Sequence, residues 1–455
     1  MLIDFNDKKV AILGWGINGF DVYKFISKYN SEITIYDKKT KNELDFSKVD
    51  LKRTKFCLGK DYLKDGLLGY DYIFRSPGVY RFLPKIIEAE KEGVIITSAI
   101  KLFFDLCPGK IIGVTGTKGK GTTSTLIYRI LKKDGFDVYL AGNIGYPVLE
   151  LLKVVNSNSW VVLELSSFQL IDMRKSPYIS VVLNITEDHL DWHKNKKEYV
   201  NSKLNIVKFQ ERECFAVLNY DYETSRRFSK YTKAKVRYFS SKKPVNGVFI
   251  ERENMILNIA NRKEKLVETC DLLLRGKHNW ENVQAACCSS YLAGASIKSI
   301  KSVIRSFKGL EHRLELIGKV DSISFYNDSS STNPNTTIAA INSFNEEMTL
   351  ILGGSDKGLS YDLMSKEIVK RDNIKNIILI GEVSDIILKS LLKIGYKGKI
   401  VVLGKASMKD IVKKSLILTP KNGIVLFSPA CASFDMFKDY KDRGNQFKVA
   451  VKILK

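Results

Sequence analysis

The fold of this chain is decided by the stretch KIIGVTGTKGKGTT at residues 110–123. An apolar strand runs into a glycine-rich loop, and a helix is predicted to begin at about Lys120. Glycines let backbone N–H groups approach phosphate oxygens, and a helix N-terminus adds partial positive charge. Lys120 can reach the terminal phosphates of ATP, and the Thr122 hydroxyl can ligate Mg²⁺. The stretch predicts an ATP-phosphate site, although Val114 replaces the first glycine of the strict pattern and Gly121 follows the lysine.

Strand and helix patterns alternate on both sides of this loop, which predicts an α/β protein with parallel sheets. The chain has 455 residues, whereas single domains usually have about 100–200, so about three domains are expected. Cys107-Pro108-Gly109 reads as a linker, and the segment 307–313 reads as a second hinge. The predicted domains are 1–106, 107–308 and 309–455.

The composition is that of an ordinary globular protein, with 44% hydrophobic and 27% charged residues. The N-terminus lacks the features of a signal peptide, and no stretch approaches the roughly 18 apolar residues of a membrane span. Seven cysteines without C-x-x-C spacing indicate free thiols in a reducing compartment. These features predict a cytoplasmic protein without a membrane span.

The formal net charge of +23 raises nucleic-acid binding as an alternative function. The lysines are spread along the chain in ones and twos, and the sequence contains no long basic block and no nucleic-acid-binding signature. We therefore expect no nucleic-acid partner. We interpret the basic residues as lying on solvent-exposed faces, where their positive charge would help to attract anionic substrates.

Several side chains follow the loop in settings that suit a nucleotide site. Glu164 ends the predicted buried strand of ELSSFQL, where a carboxylate needs a cation or a metal ion. His189, in LNITEDHLDWH, could ligate a metal ion or a phosphate, whereas we interpret His193 as a surface residue. Lys203, taken alone, reads as an exposed helix lysine. Asn279, in GKHNWENVQAA, could pair with an adenine edge or cap a helix.

The last part of the chain has polar motifs after predicted strands, where open α/β sheets bind ligands. These motifs are YNDSSSTNPNTT at 326–337, LGGSDKG at 352–358 and SPACASFDMFKDYKDRGNQF at 428–447. Arg313, in GLEHRLE, falls in the predicted hinge and could clamp a phosphate through two hydrogen bonds.

Taken together, these segments resemble the Mur ligase family across nearly the whole chain. The motifs occur in the family's order, namely TGTKGKGTT, GNIG (142–145), ELSSFQL, NITEDHLD, GKHNWENVQAA, GLEHRLE, NDSSSTN and SPACASFDMF. The resemblance implies a Rossmann-like N-terminal domain, a central P-loop ATPase-type α/β domain and a Rossmann-like C-terminal domain. It implies ATP-dependent amide ligation through an acyl phosphate, with two Mg²⁺ ions or with Mn²⁺ as an alternative, by a monomer. SPACASFD with the later Arg443-Gly444 points to the member that adds D-glutamate to UDP-N-acetylmuramoyl-L-alanine in peptidoglycan precursor synthesis.

The resemblance also carries over site residues. The implied ATP contacts are Thr115, Gly116, Thr117, Lys118, Gly119, Lys120, Gly121, Thr122, Thr123, Asn279, Arg313 and Asp328. The implied metal ligands are Thr122, Glu164, His189 and Lys203, the last as a carbamate. The implied contacts of the UDP-linked substrate are Gly14, Ile17, Asn18, Asp37, Ser76, Pro77, Gly78 and Asn143. The implied D-glutamate contacts are Thr332, Lys357, Ser433 and Tyr440, and the implied catalytic residues are Lys120, His189, Lys203 and Arg313.

The chain departs from the family pattern at three positions. Ser330 stands where the family usually has lysine, so a positive charge near the acceptor is missing unless Lys357 or Arg313 compensates. Gly121 replaces a common serine, as in folylpolyglutamate synthetases, and Tyr440 replaces phenylalanine. Three other functions stay open, namely a folylpolyglutamate synthetase, a Mur ligase for another residue and a non-catalytic nucleotide-binding regulator. For the first domain, NAD binding also stays open, because LGWGING is a weak dinucleotide fingerprint.

Overall fold

The structure is a computed structural model that describes residues 4–143, 145–189, 192–260, 262–274 and 276–454. Ile144 of GNIG, and Leu190 and Asp191 of NITEDHLD, lie outside the described residues. The chain forms two compact units: the first runs to Thr269 and includes Glu281–Ile304, and the second comprises Cys270–Trp280 and the chain from Arg305 onward. Two sheets lie in the first unit and one in the second, which confirms the α/β class with three sheet regions.

The first sheet is parallel throughout and begins the first unit. Its strands are β1 Lys9–Leu13, β2 Glu32–Asp37, β3 Thr54–Leu58, β4 Tyr72–Arg75 and β5 Ile95–Thr97. Its helices are α1 Ile17–Ile26, α2 Pro84–Lys91 and α3 Ala99–Leu106. The strand order is β3-β2-β1-β4-β5, so the chain changes direction across the sheet beside β1. The loops after β1 and β4 therefore open at the switch point, where such sheets bind ligands.

The second sheet completes the first unit. Its strands are β6 Lys110–Thr115, β7 Val138–Gly142, β8 Trp160–Glu164, β9 Ile179–Val182, β10 Phe215–Asn219, β11 Lys235–Ser240, β12 Gly247–Glu251, β13 Asn254–Ile259 and β14 Arg262–Glu268. The helices of this stretch are α4 Lys120–Lys133, α5 Ser167–Leu170, α6 Lys196–Lys208, α7 Glu223–Arg227, α8 Lys277–Leu292 and α9 Ile297–Ser306. The strand order is β14-β13-β12-β11-β10-β9-β6-β8-β7, with antiparallel pairing only around β13. Strand β6 pairs in parallel with β8 on one side and with β9 on the other. The loop after β6 therefore lies between the carboxyl ends of two neighbouring strands.

The third sheet is the framework of the second unit. Its strands are β15 Glu315–Val320, β16 Ile323–Asn327, β17 Met348–Gly353, β18 Ile374–Ile380, β19 Lys399–Gly404 and β20 Ile424–Phe427. Its helices are α10 Pro334–Ile341, α11 Asp362–Val369, α12 Ser384–Ile394, α13 Met408–Leu418 and α14 Tyr440–Ile453. The order is β15-β16-β20-β17-β18-β19, and only β15 pairs antiparallel. The loops after β16, β20 and β17 consequently share one edge of the sheet.

Candidate active site

The glycine-rich loop joins β6 to α4, which begins at the predicted Lys120. Gly119, the residue before the helix, has φ of 88°, a conformation that side chains disfavour. A Cβ atom at Gly119 would also overlap Oδ1 of Asn282 on α8. The loop therefore requires glycine at this position for its backbone angle and for space.

Neighbouring strand ends hold the loop in place. Thr115 Oγ1 donates to the carbonyl oxygen of Leu165 at 2.9 Å, and the Thr117 N–H donates to Asn184 O at 2.7 Å. Thr117 Oγ1 lies 2.9 Å from the hydroxyl of Tyr199, which is fully buried on α6. Sequence reasoning missed Asn184 and Tyr199, because neither residue type identifies a loop support by itself.

The ammonium group of Lys120 folds back over the loop. Its Nζ donates to the carbonyl oxygens of Gly116 and Thr117, both at 3.0 Å. Thr122 and Thr123 in the first turn of α4 are buried, whereas Lys118 on the loop is exposed. A positive charge thus lies over the cradle in which the sequence predicts phosphates.

Lys203 is buried, so its interpretation as an exposed helix lysine is wrong. The residue lies on α6 and is 2% exposed; its Nζ donates to Gly116 O at 3.0 Å and lies 3.5 Å from Thr115 Oγ1. Burial lowers the pKa of the Lys203 amine well below its ordinary value, and the charge of Lys120 lowers it further. Burial therefore makes the neutral form of this amine more accessible than that of a solvent-exposed lysine.

The other two protein groups predicted to bind metal lie near the same strand ends. Glu164, the last residue of β8, is 7% exposed, and its carbonyl oxygen accepts a hydrogen bond from the Asn143 N–H at 3.0 Å. His189 has φ of 53°, an exposed side chain and a ring that contacts Phe168 at 4.8 Å between centroids. Glu164 and Asn143 are thus neighbours, and Asn143 itself is exposed.

Among the described residues, no group of three or more His, Cys, Asp and Glu side chains is placed to hold a metal ion. The predicted ligand set contains only two residues of those types, Glu164 and His189. A Mg²⁺ ion prefers oxygen ligands and is commonly held by one or two carboxylates with substrate phosphates. The donor set fits such an ion if the Thr122 hydroxyl, a carbamate on Lys203 and the phosphates complete the coordination.

His193 is buried, so the prediction of a surface residue is wrong. Its exposed fraction is 2%. Its ring nitrogens lie 3.2 Å from Glu198 Oε1 and 2.9 Å from Ser167 Oγ. No sequence pattern indicates this burial, because Ser167 lies 26 residues away along the chain.

Except for Asn143, which follows β7 of the second sheet, the residues predicted to bind the UDP-linked substrate lie near the switch point of the first sheet. Ser76 Oγ donates to Gly14 O at 2.7 Å, and Asp37 Oδ2 accepts from the Trp15 N–H at 2.6 Å. Ile17, the first residue of α1, is 76% exposed. The remaining residues of this predicted set are the partly buried Asn18 and Pro77 and the exposed Gly78.

In the second unit, the structure brings Asp328 close to the segment that carries Arg313. Asp328 Oδ1 accepts from the Leu314 N–H at 3.2 Å, and its Oδ2 accepts from Ser331 and Ser428 hydroxyls. Burial raises the pKa of the Asp328 carboxyl to about 6. Arg313 itself is exposed, and Asn279, near the start of α8, is 7% exposed.

The predicted D-glutamate contacts lie on loops at one edge of the third sheet. Thr332 follows β16, Lys357 follows β17 and Ser433 follows β20, while Tyr440 begins α14. Lys357 is exposed, Tyr440 is 37% exposed and Ser433 is buried. The four positions therefore belong to adjacent loops of one unit.

Arg443 ties these loops together and is absent from the predicted site residues. The guanidinium is fully buried and donates to Ser329 Oγ and to the carbonyl oxygens of Ser329, Cys431 and Ala432, at 2.8–3.1 Å. The Ser355 N–H donates to the same Ala432 oxygen at 3.0 Å. The Arg443-Gly444 pair quoted above was the available sequence signal, but it did not indicate burial.

Comparison with known proteins identifies the class. Residues 8–98 match the family model "Mur ligase MurD-like, N-terminal domain", and residues 114–290 match "Mur ligase middle domain". The chain belongs to the Mur ligase family. Relatives named UDP-N-acetylmuramoylalanine--D-glutamate ligase match it over nearly their whole length. The protein from Acetivibrio thermocellus is 38% identical over 98% of this chain and 96% of its own, and that from Clostridium tetani is 36% identical over 99% of both.

Solved structures confirm the fold. The UDP-N-acetylmuramate-alanine ligase of Thermotoga maritima superposes with a TM-score of 0.60 at 18% identity, over 98% of this chain and 100% of that one. The pseudomurein peptide ligase type C of Methanothermus fervidus gives a TM-score of 0.58 at 17% identity, over 99% and 100%. Within the described ranges, none of the helices has the length and apolar character needed to span a membrane.

Proposed function

We propose that this chain is an ATP-dependent ligase that joins D-glutamate to UDP-N-acetylmuramoyl-L-alanine and releases ADP and phosphate. The observation that carries the proposal is full-length similarity, at 36–38% identity, to ligases of that name. Lys120 and Lys203 both donate to the glycine-rich loop. This arrangement supports the proposal, because the reaction needs a firmly bound nucleotide and positive charge to offset the repulsion between its anions.

The chemistry begins with a poor electrophile. A carboxylate resists attack by an amine because oxide would have to leave. Transfer of the γ-phosphoryl group of ATP to the L-alanyl carboxylate gives an acyl phosphate and ADP. The amine of D-glutamate then attacks the acyl carbon, the C–N bond forms, the amine loses a proton and inorganic phosphate leaves. Two anions must meet in the first step, so positioned positive charge is the main requirement for catalysis.

In this proposal the N–H groups of the 115–123 loop and the Lys120 ammonium hold the ATP phosphates, and Asn279, Arg313 and Asp328 make further ATP contacts. Thr122, Glu164, His189 and a carbamylated Lys203 would hold Mg²⁺, as two ions that Mn²⁺ can replace. The metal, when bound, supplies positive charge that offsets repulsion between the reacting oxyanions.

The environment of Lys203 supports the proposal of a carbamate at this residue. The neutral amine attacks the carbon of CO₂, an N–C bond forms and one proton leaves, so a neutral group becomes an anion. This step requires an unprotonated amine, which burial favours at Lys203. The resulting carboxylate-like group offers the oxygen ligands that Mg²⁺ prefers.

The substrate sites are proposed on separate loops. Gly14, Ile17, Asn18, Asp37, Ser76–Gly78 and Asn143 would contact the UDP-linked substrate, and Thr332, Lys357, Ser433 and Tyr440 would contact D-glutamate. The domains would run over 1–106, 107–308 and 309–455. We further propose a cytoplasmic monomer; seven free thiols suit a reducing compartment, and light scattering would give the mass of one chain.

The test is release of ADP by the purified protein with Mg²⁺, ATP and UDP-N-acetylmuramoyl-L-alanine. We expect turnover to depend on D-glutamate and to be lost with L-glutamate or with other amino acids. Turnover without D-glutamate would contradict the acceptor assignment. Turnover with a folate in place of the UDP-linked substrate would indicate the related folate ligases instead.

A further inference from the structure

Four side chains of the first unit form a continuous hydrogen-bond relay. The Tyr80 hydroxyl donates to Glu198 Oε2 at 2.9 Å. The other carboxylate oxygen, Oε1, lies 3.2 Å from His193 Nδ1, and His193 Nε2 lies 2.9 Å from Ser167 Oγ. We call this set the Tyr80–Ser167 relay.

The partners fix the proton positions within the relay. A carboxylate oxygen accepts hydrogen bonds, so we assign the imidazole proton to Nδ1, facing Glu198. The Nε2 lone pair then accepts from the Ser167 hydroxyl. Burial lowers the pKa of His193, which is consistent with this neutral tautomer. Each bond of the relay therefore has a definite direction, from Tyr80 and His193 to Glu198, and from Ser167 to His193.

The relay connects three parts of the proposed site. Tyr80 follows the Ser76–Gly78 turn of the first sheet, and the Trp192 indole N–H donates to Gly78 O at 3.3 Å. Glu198 lies on α6, which also carries Lys203 and therefore contacts the phosphate loop. Ser167 begins α5, three positions after Glu164. A shift of the relay would consequently move the UDP-side turn relative to the helix that carries Lys203.

A Ser–His–Glu series of this kind has the atom order of hydrolytic triads. Ser167 and His193 are each only 2% exposed, however. The rings of Phe168 and Tyr199 pack on the imidazole at centroid distances of 5.6 and 5.4 Å. A substrate cannot reach the serine oxygen, so these groups support the site and are not a nucleophile with its base.

We propose that His193 is a positioning residue for the UDP-linked substrate. Through Glu198 and Tyr80 it fixes the Ser76–Gly78 turn to α6, and through Ser167 it fixes the start of α5. This inference rests on the proposed function, because its readout is use of the UDP-linked substrate. The loop that holds ATP has separate hydrogen bonds, between Thr117 and the Tyr199 hydroxyl and from Lys203 to Gly116 O. A variant that removes only the Tyr80 hydroxyl leaves both in place, so we expect it to affect ATP binding little.

The first test is the variant Tyr80→Phe, which removes one hydroxyl and keeps the ring. We expect kcat/KM for UDP-N-acetylmuramoyl-L-alanine to fall about tenfold, mostly through KM, since a hydrogen bond to a charged group is lost. The KM for ATP should change less than about twofold. Tyr396→Phe is the matched control, because Tyr396 also donates through its hydroxyl, to Ile374 O at 2.9 Å, but in the second unit. Equal changes in both KM values, or no change, would overturn the proposal.

The second test uses the two amide replacements of histidine. In His193→Gln the amide can reach the position of Nε2 and keep the hydrogen bond to Ser167. In His193→Asn the amide can take the position of Nδ1 and keep the hydrogen bond to Glu198. We expect each to resemble Tyr80→Phe. His193→Gln already breaks the relay at Glu198. Adding Tyr80→Phe to it should therefore lower kcat/KM for the UDP-linked substrate by less than about a further twofold. A double variant whose kcat/KM falls about a hundredfold, the product of the two single losses, would show that the residues act independently. That result would overturn the proposal.

The wild-type assay separates this inference from the proposed function. A wild-type protein that does not turn over the UDP-linked substrate contradicts the proposed function before any variant is compared. A wild-type protein that does, with variants that keep its substrate KM, contradicts the relay alone. Hydrolysis of p-nitrophenyl acetate that is lost in Ser167→Ala would show a reactive serine and would also overturn the positioning role.

Discussion

The Lys203 Nζ lies 3.0 Å from the carbonyl oxygen of Gly116, although the two residues are 87 positions apart. The contact places a buried amine of α6 against the backbone of the phosphate loop at Gly116. Lys120 donates to the same carbonyl oxygen at 3.0 Å. Two lysines thus share one acceptor, and burial together with this neighbouring charge keeps the pKa of Lys203 low.

Replacement of Lys203 by alanine should lower turnover by more than about a hundredfold, because the metal loses a ligand that no neighbour supplies. Short-chain carboxylic acids such as formate or acetate should restore part of the activity by entering the vacated space. Steady-state ADP release measures both effects. Lys208→Ala, on the exposed last turn of the same helix, is the control and should keep full activity. A fully active Lys203→Ala variant would reject the carbamate.

Gly119→Ala should weaken ATP binding, with KM for ATP rising more than about tenfold, because the added Cβ meets Asn282. Gly135→Ala isolates the backbone contribution. Gly135 has φ of 89°, nearly that of Gly119, but open space around its Cβ position. The control should lower the free energy of unfolding by only about 1 kcal/mol and leave KM unchanged. Equal effects at both positions would show that strain, not overlap, is the constraint.

Stability should depend on the charge of Asp21 on α1. Burial raises the pKa of this carboxyl to about 6, with Glu150 raising it and Lys24 opposing, and its Oδ2 accepts from the Leu149 N–H at 3.0 Å. Between pH about 4 and about 6 the folded chain binds the extra proton, so stability is lost as pH rises through this window.

Asp21→Asn removes this charge and keeps an acceptor for Leu149. We expect the midpoint of thermal unfolding to rise by about 2 °C at pH 7.5 and to change little at pH 4. Asp65→Asn, at an exposed position, is the control and should have no effect at either pH. A midpoint that falls at pH 7.5 would mean that the carboxylate is stabilising as a charge.

Loss of Arg443 should destabilise the second unit. Burial lowers the pKa of this guanidinium to about 10, so it stays charged at neutral pH. The four hydrogen bonds described above all go to neutral oxygens. Arg443→Met leaves those oxygens buried and should lower the free energy of unfolding by at least about 3 kcal/mol in urea. Arg371→Met should cost less than about 1 kcal/mol, because Arg371 is partly exposed. Similar costs for the two variants would contradict a central role for Arg443.

The fold was predictable because its determinants are local along the chain. Buried strands of a parallel sheet are short apolar runs, and each ends in glycine or polar residues at the ligand-binding edge. Strand β6, its loop and the start of α4 at Lys120 follow from such patterns alone. The order of the motifs then identified the family, which the comparisons confirm.

The state of single polar residues was not predictable in this way. Lys203 and His193 read as exposed because their neighbours in sequence are polar, yet both are 2% exposed. Their burial depends on partners 87 and 26 residues away, Gly116 and Ser167. Arg443 is a similar case, since its acceptor Ser329 is 114 positions distant.

The sequence by itself determined the α/β class, the position of the phosphate loop and the family, because hydrophobic period and glycine placement act over a few residues. Only the tertiary structure decided which polar side chains are buried and to which groups they bind. The structure shows Lys203 as a buried amine beside the phosphate loop and His193 as a member of the Tyr80–Ser167 relay. The physical reason is that burial and pKa depend on atoms that the fold brings together from distant segments. The stretch at 110–123 supplies only one side of these contacts, through the backbone and hydroxyls of Thr115–Thr117.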